Sequence, residues 1–267
     1  MERRLDIAYS SVDTDVRRID VFLPDEKANG RCIFFIHGGG WHAGDKESWH
    51  SVMEHFAGLG YVCTSAEYHL APQWRLTNQA EDLRTAMAFV KVHAADYGFD
   101  PRRVAVWGSS AGAHLAALLA TTQPEDELGM TPEIADRDTL PAAAVCLCSV
   151  FSFHDADATQ ETLTKAVRDV MGCTEAERPG LYRQASPIDR LCGKEPPFLM
   201  VVGDADDLTP VAHHEAMRDA VLAQGGSAQL IVLPGVGHGF GYGVSSDAQK
   251  QNLVHTERFL RSALASP

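Results

Sequence analysis

Short apolar runs alternate with segments of helical periodicity along most of the chain. Apolar and polar residues alternate over residues 17–23, as in a half-exposed strand, whereas 31–37 and 61–67 are more continuously apolar, as in central strands. The predicted strands that remain are 104–107, 142–150, 198–203 and 229–233, and the predicted helices are 48–59, 78–95, 111–120, 211–224 and 247–264. This order indicates an α/β fold with a mostly parallel central sheet and helices on both faces.

The alternation breaks down between residues 152 and 194, where polar stretches and short helical pieces follow one another. In a sheet protein, such an excursion between two core strands usually rises above the carboxyl edge of the sheet, where sites form. We therefore predict a single domain over residues 1–267, with a small cap at roughly 152–194 between the sixth and seventh core strands.

Charge and hydropathy exclude several classes of partner. The net charge is −13, and acidic residues are spread along the chain without a basic stripe, so neither nucleic acid nor an anionic membrane is expected as a partner. No apolar run approaches the roughly 18–20 residues of a membrane-spanning helix, and the first residues are charged, unlike a secretory signal. We expect a cytoplasmic protein, and we leave a homodimer open beside a monomer.

Six cysteines are present, and four of them lie in apolar, strand-like runs: Cys32, Cys63, Cys146 and Cys148. There a cysteine behaves as a small buried hydrophobe. Cys146 and Cys148 are expected to share one face of a strand, but no second Cys/His pair at zinc spacing accompanies them. We therefore predict reduced core thiols, with no metal site and no disulfide framework.

A G-x-S-x-G motif, Gly108-Ser109-Ser110-Ala111-Gly112, lies between a predicted strand and a predicted helix. The central serine of such a turn is held in a strained backbone conformation with its hydroxyl exposed, and the flanking glycines let strand and helix approach closely. Centring the motif on Ser109 would require glycine at Trp107 and Ala111. The spacing therefore selects Ser110 as a candidate nucleophile.

A glycine run, His37-Gly38-Gly39-Gly40-Trp41, directly follows the predicted strand over residues 31–37. Consecutive glycines let backbone N–H groups face a bound carbonyl oxygen. One donor of an oxyanion hole comes from this loop in such folds, and the other is the residue after the nucleophile, here Ala111. Gly38 and Gly39 remain equal candidates for the loop donor. We interpret His37 as a loop anchor because it ends a strand far from a suitable acid.

Two further loops follow predicted strands and supply a candidate acid and base. After residues 198–203 come Asp204, Asp206 and Asp207, any one of which can orient a histidine and stabilise its imidazolium form. After residues 229–233 comes His238, between two glycines, where core packing explains a histidine poorly. The chain order serine, aspartate, histidine is that of α/β-hydrolases and not that of chymotrypsin or subtilisin.

With these motifs in place, the sequence resembles the hormone-sensitive-lipase-like and the feruloyl- and acetyl-esterase-like carboxylesterases of the α/β-hydrolase fold. The similar stretches are 37–41, 68–72, 108–112 with the following His-Leu-Ala, 206–210 and 238–240. The resemblance implies that the acid is Asp206, which stands four residues before a proline, and that Asp82 lies on the helix beneath the oxyanion loop. Two departures are His69, where the family usually has arginine, and Ser109, where an acidic residue is usual.

The resemblance implies two-step acyl transfer by Ser110, Asp206 and His238, with the oxyanion bound by Ala111 and by Gly38 or Gly39. We predict a serine carboxylesterase that acts on small, short-acyl esters without a metal or an organic cofactor. Two alternatives stay open. One is an amidase of the arylformamidase kind, which shares a similar His-Gly-Gly-x-Trp loop, and the other is a non-catalytic ligand receptor on the same fold.

Overall fold

A computed structural model describes residues 1–154 and 161–265. Eight strands form one sheet in the order β1-β2-β4-β3-β5-β6-β7-β8. They are β1 (Glu2–Ala8), β2 (Arg18–Leu23), β3 (Gly30–Ile36), β4 (Val62–Ala66), β5 (Phe99–Ser109), β6 (Ala143–Leu147), β7 (Phe198–Gly203) and β8 (Ala228–Leu233). Only β2 runs antiparallel to its neighbours, β1 and β4, whereas all the other pairs are parallel. The predicted fold class is confirmed.

Helices follow most of the parallel strands. They are α1 (His50–Gly58), α2 (Leu76–Val92), α3 (Ala94–Tyr97), α4 (Ala111–Thr121), α5 (Glu161–Met171), α6 (Pro179–Ala185), α7 (Val211–Ala223) and α8 (Asp247–Ala263), with 3₁₀ turns at Lys46–Trp49 and Pro187–Arg190. No helix in the described ranges is both long enough and apolar enough to cross a membrane.

The sheet separates two apolar layers. Strand residues alternate between them: Phe34 packs on the side of α2, α4 and α7, whereas Ile33 and Phe35 pack on the side of α1 and α8. Because both faces of the central strands are covered, these strands read as continuous apolar runs instead of alternating ones. Helix α4 is buried at every position, as its lack of a polar face predicts.

Two differences from the sequence predictions have a physical cause. β1 was not predicted because its residues are mostly charged and exposed, and charge on an edge strand prevents pairing with other chains. β5 begins at Phe99, five residues before the predicted start, because the polar stretch Asp100-Pro-Arg-Arg hides its first half. That half lies where the pairing with β3 changes register between Gly30 and Cys32.

The segment between β6 and β7, which contains the predicted cap at 152–194, holds α5, α6 and the second 3₁₀ turn. Helix α5 contacts the region after the glycine loop through Asp169, whose carboxylate lies 3.4 Å from His42 and whose carbonyl oxygen accepts a hydrogen bond from Arg75. The part of the predicted cap at 155–160 lies outside the described residues. That the segment acts as a cap remains a prediction.

Candidate active site

Ser110 lies on the turn between β5 and α4, and its backbone has a positive φ of 56° with ψ −122°, a conformation that residues other than glycine rarely adopt. The glycines around it are required by close contacts. A Cβ at Gly108 would lie 2.1 Å from the carbonyl oxygen of Gly112, and one at Gly112 would lie 2.3 Å from the carbonyl oxygen of Ile36. Any larger residue at either position would push α4 away from the sheet. The turn thus has the strain and the close approach that the motif predicts.

His238 connects the end of β8 to Ser110. Its Nε2 lies 2.8 Å from the Ser110 Oγ, and its Nδ1 lies 2.8 Å from the Asp206 Oδ2. The imidazole is partly exposed at 24%, whereas the Asp206 side chain is fully buried. Three predicted residues from the ends of three different strands therefore form one hydrogen-bonded chain, in which the histidine can accept a proton from the serine.

Asp206 is the aspartate of its loop that reaches the histidine. Its Oδ1 accepts hydrogen bonds from the N–H groups of Leu208 and Thr209, and its Oδ2 accepts one from the Thr209 hydroxyl. The Asp204 carboxylate instead accepts a hydrogen bond from the Gly235 N–H, which holds the start of the loop that carries His238. Asp207 is exposed at the surface. The geometry agrees with the choice of Asp206 that the family resemblance implies.

Asp206 and His238 shift each other's pKa. Burial alone would raise the pKa of Asp206, but the hydrogen bonds from His238 and Thr209 outweigh it and hold that pKa below its ordinary value. Burial alone would lower the pKa of His238, but the Asp206 carboxylate and the neighbouring Cys148 thiol outweigh it and raise that pKa. The pair therefore favours an ionised aspartate, which stabilises the imidazolium form of His238.

The glycine loop packs directly against the nucleophile. A Cβ at Gly38 would lie 2.5 Å from the Ser109 carbonyl oxygen and 3.3 Å from the Ser110 Cβ. The N–H of Gly38 is already used, because it donates a 2.5 Å hydrogen bond to the Tyr242 hydroxyl. Within the described ranges, the N–H groups of Gly39 and Ala111 have no acceptor in the protein. Gly38 and Gly39, which the sequence does not distinguish, therefore differ in the structure.

Tyr242 is a site residue that sequence reasoning missed. It stands four residues after His238, its ring packs 4.7 Å from that of Trp49, and its carbonyl oxygen accepts a hydrogen bond from Gln249. Burial raises the pKa of Tyr242 to about 12, so its hydroxyl stays protonated at neutral pH. No motif marks this residue, and only its bond to Gly38 shows that the loop after His238 supports the glycine loop.

His37 anchors the loop as predicted, but the reason given for this from the sequence is wrong. An acid does lie near, because the Glu67 carboxylate is 3.3 Å from the His37 Nε2. The His37 Nδ1 lies 2.9 Å from the Gly38 carbonyl oxygen, and its ring stacks on Tyr68 with 4.3 Å between centroids. The fully buried imidazole thus joins the glycine loop to the end of β4.

Asp82 supports the neighbouring turn from α2. Its Oδ2 accepts hydrogen bonds from both the backbone N–H and the Nδ1 of His69, each at 2.8 Å. Its Oδ1 accepts one at 2.9 Å from the Arg17 guanidinium. The guanidinium beside this buried carboxylate therefore comes from Arg17, while His69 occupies the position where the family usually has arginine.

A nucleophile turn, a histidine and an acid at the carboxyl edge of a mostly parallel sheet define the class of α/β-hydrolases. A sequence model of the family described as BD-FAE matches residues 19–221. The chain belongs to this family.

Two curated relatives are similar over most of this chain. Esterase LipQ of Mycobacterium tuberculosis is 31% identical over 229 residues, which cover 83% of this chain and 54% of LipQ. The probable carboxylic ester hydrolase LipM of the same organism is 29% identical over 270 residues, which cover 98% of this chain and 61% of LipM. The chain therefore spans little more than half the length of these relatives.

Solved structures share the fold over almost the whole chain. Esterase 2 of Thermogutta terrifontis with propionate bound matches with a TM-score of 0.81 at 23% identity, covering 100% of this chain and 96% of that one. A truncated carbohydrate esterase from gut microbiota matches with a TM-score of 0.85 at 20% identity, covering 100% and 97%. At such identities the likeness establishes the fold alone.

Proposed function

We propose that this protein is a serine carboxylesterase with Ser110 as nucleophile, His238 as general base and Asp206 as the acid that orients it. The observation that carries the proposal is the continuous pair of 2.8 Å contacts from the Ser110 Oγ through the imidazole to the Asp206 carboxylate. The names of LipQ and LipM, an esterase and a probable carboxylic ester hydrolase, support it.

The geometry supports a two-step acyl transfer. His238 takes the proton from Ser110 as the Oγ attacks the ester carbonyl carbon, and the imidazolium returns that proton to the departing alcohol. The base then activates water, which attacks the acyl-serine and releases the acid. Asp206, ionised and held by three hydrogen-bond donors from Leu208 and Thr209, keeps the imidazole in the tautomer whose Nε2 accepts a proton.

We assign the oxyanion hole to the N–H groups of Gly39 and Ala111. Both are without a protein acceptor in the described part of the chain, and that of Ala111 belongs to the first residue of α4, where the helix dipole favours negative charge. Gly38 serves the loop differently, because its N–H is bound to Tyr242.

We propose small esters with short acyl chains as substrates. Support comes from structures of Thermogutta terrifontis esterase 2 with propionate and with butyrate bound, and from the same enzyme phosphonylated by sarin. Neither the amidase nor the receptor alternative is favoured by any contact of the site. The cap at 152–194, a cytoplasmic location and a homodimer stay predictions.

The test is covalent labelling of the serine followed by substrate comparison. A fluorophosphonate probe is expected to add one adduct per chain at Ser110, with labelling lost in Ser110→Ala and strongly slowed in His238→Ala. Retention of the label in Ser110→Ala, or none in the unmodified chain, would refute the assignment. The value of kcat/KM for p-nitrophenyl acetate is expected to exceed that for N-formylkynurenine, and the reverse order would favour the amidase.

A further inference from the structure

Cys148, the residue after β6, does not follow the alternation of its strand. Ala144 and Cys146 pack in the layer of α2 and α4, whereas Val145 and Leu147 pack in the layer of α1 and α8. Cys148 should return to the layer of Cys146, but it lies in that of Leu147. The cause is its backbone, which has a φ of 42° in the left-handed region. The expectation that Cys146 and Cys148 share a face is therefore wrong.

The strained backbone is held from both sides. The N–H of Cys148 donates to the Val201 carbonyl oxygen on β7 at 2.8 Å, and the N–H of Ser149 donates to the Nε2 of the buried His214 at 2.9 Å. Such a conformation at a non-glycine residue is strained and persists only where the surroundings enforce it. The structure thus fixes the direction of the Cys148 thiol.

That direction brings the thiol to the pair of His238 and Asp206. The Cys148 Sγ, a ring nitrogen of His238 and a carboxylate oxygen of Asp206 all lie within 4.8 Å of one another. The same Sγ lies 3.7 Å from the Ser109 hydroxyl, beside the nucleophile. Cys148 and the Asp206 side chain are buried, and the partly exposed imidazole leaves one approach from solvent.

Sulfur, imidazole nitrogen and carboxylate oxygen are the ligand types of zinc sites. Zn²⁺ binds them at about 2.3, 2.0–2.1 and 2.0–2.2 Å, usually in a tetrahedron. Ligand atoms at these distances stand roughly 3.3–3.7 Å apart. Around an ion, the His238 Nδ1 and the Asp206 Oδ2, now 2.8 Å apart, would separate, and the Cys148 Sγ would adjust from its present position within 4.8 Å. A water molecule completes the fourth position.

We propose that Cys148, His238 and Asp206 form a binding site for Zn²⁺ and related thiophilic divalent cations, which inhibit the enzyme when bound. The ion is a regulator or poison of the site and takes no part in hydrolysis. The inhibition, though not the binding, rests on the proposed esterase function.

Because Asp206 faces the Nδ1 of His238, an ion shared by these two residues binds that nitrogen. Such an ion replaces the hydrogen bond to Asp206 and leaves the proton on Nε2, which then cannot accept the proton of Ser110. Because the thiol loses its proton on binding, affinity is expected to rise with pH.

The experiment uses Cd²⁺ as a spectroscopic probe for this class of cation. The parent protein carries Cys173→Ser and Cys192→Ser, which remove the two cysteines that are not fully buried. Titration is expected to produce one equivalent of the ultraviolet charge-transfer absorption of a cadmium–thiolate bond. A parallel loss of p-nitrophenyl acetate hydrolysis is expected, and a chelator should reverse both.

Cys148→Ser in the same background is expected to abolish the absorption and to weaken inhibition at least 10-fold, each protein being compared with its own metal-free rate. Cys146→Ser, two residues earlier on the same strand and equally buried, is the matched control and should behave as the parent. Absorption that persists in Cys148→Ser, or inhibition equal in the two proteins, would overturn the site.

The two proposals fail in different ways. A Cys148-dependent absorption in a protein without hydrolytic activity would support the metal site and refute the esterase function. If the protein hydrolyses the ester, but Cd²⁺ neither inhibits the hydrolysis nor produces the cadmium–thiolate absorption, the metal site is refuted and the esterase function stays intact.

Discussion

The neighbouring strands β5 and β6 are each followed by a non-glycine residue with a positive φ. Ser110 follows β5 with a φ of 56°, and Cys148 follows β6 with a φ of 42°. Glycines mark the first turn because β5 leads directly into α4, which packs closely against the sheet. Over the described residues 148–154 that follow β6, no helix begins, so its turn needs no glycine and leaves no motif. A strained residue with a positive φ can therefore be predicted from the sequence after β5 but not after β6.

The largest expected difference between the two strand ends is catalytic. Ser110→Ala should lower kcat for p-nitrophenyl acetate by roughly 10⁴-fold or more, as loss of a triad member does elsewhere. Cys148→Ala removes the side chain at the end of β6 and should lower kcat far less, because no step of the hydrolysis uses the thiol. Steady-state kinetics on protein purified free of contaminating esterase measures both. Near-normal turnover by Ser110→Ala would contradict the mechanism.

The next largest effect on kcat is expected from the Asp206 carboxylate, which lies near both strand ends. Asp206→Asn should lower kcat on the order of 10³- to 10⁴-fold, since the imidazole loses the partner that orients it. His238 is active as the neutral base and its pKa is raised, so kcat/KM should fall as pH drops through that pKa.

Removing the carboxylate lowers the pKa of His238, so the acidic limb of kcat/KM should move to lower pH in Asp206→Asn. Asp204→Asn is the control, because its carboxylate holds Gly235 and does not touch the imidazole. An unmoved limb in Asp206→Asn would show that another group sets the pKa.

A smaller effect is expected at the glycine loop beside Ser110. Tyr242→Phe removes the acceptor of the Gly38 N–H, and loss of one hydrogen bond of about 0.5–1.5 kcal/mol should lower kcat roughly 2- to 10-fold with little change in KM. Tyr9→Phe also removes a buried hydroxyl, one bound to the Glu67 carbonyl oxygen, and should leave kcat unchanged. Equal losses in the two variants would indicate a general effect on stability instead of on the oxyanion loop.

The smallest effect tests the strain at the end of β6 directly. Glycine is normally less stable than alanine within a strand by about 0.5–1 kcal/mol, but at a left-handed backbone the order reverses. Cys148→Gly should therefore unfold with a free energy about 1 kcal/mol higher than that of Cys148→Ala, measured by urea denaturation. The pair Cys146→Gly and Cys146→Ala, in regular strand, should show the opposite order. The same order at both positions would mean that residue 148 is unstrained.

Most of the fold follows from the sequence, because layers and parallel strands leave strong periodic patterns. Six of the eight strands differ from their predicted bounds by at most a few residues or coincide with them. The failures are β1 and the first half of β5, where charged residues on exposed backbone obscure the pattern. The turns of Ser110 and of Gly38–Gly40 could also be predicted, since their geometry restricts the residues that fit.

Local sequence is enough to predict the α/β class, the turn of Ser110, the glycine loop and the candidates for acid and base, because each is encoded within a few consecutive residues. It does not predict that Tyr242 binds the N–H of Gly38 or that the Cys148 thiol lies beside His238 and Asp206, which follow from the folded chain. These residues are separated by tens to hundreds of positions along the chain. They come into contact because of the order of the strands in the sheet and the strained backbone of Cys148, and neither feature produces a recognisable pattern in the local sequence.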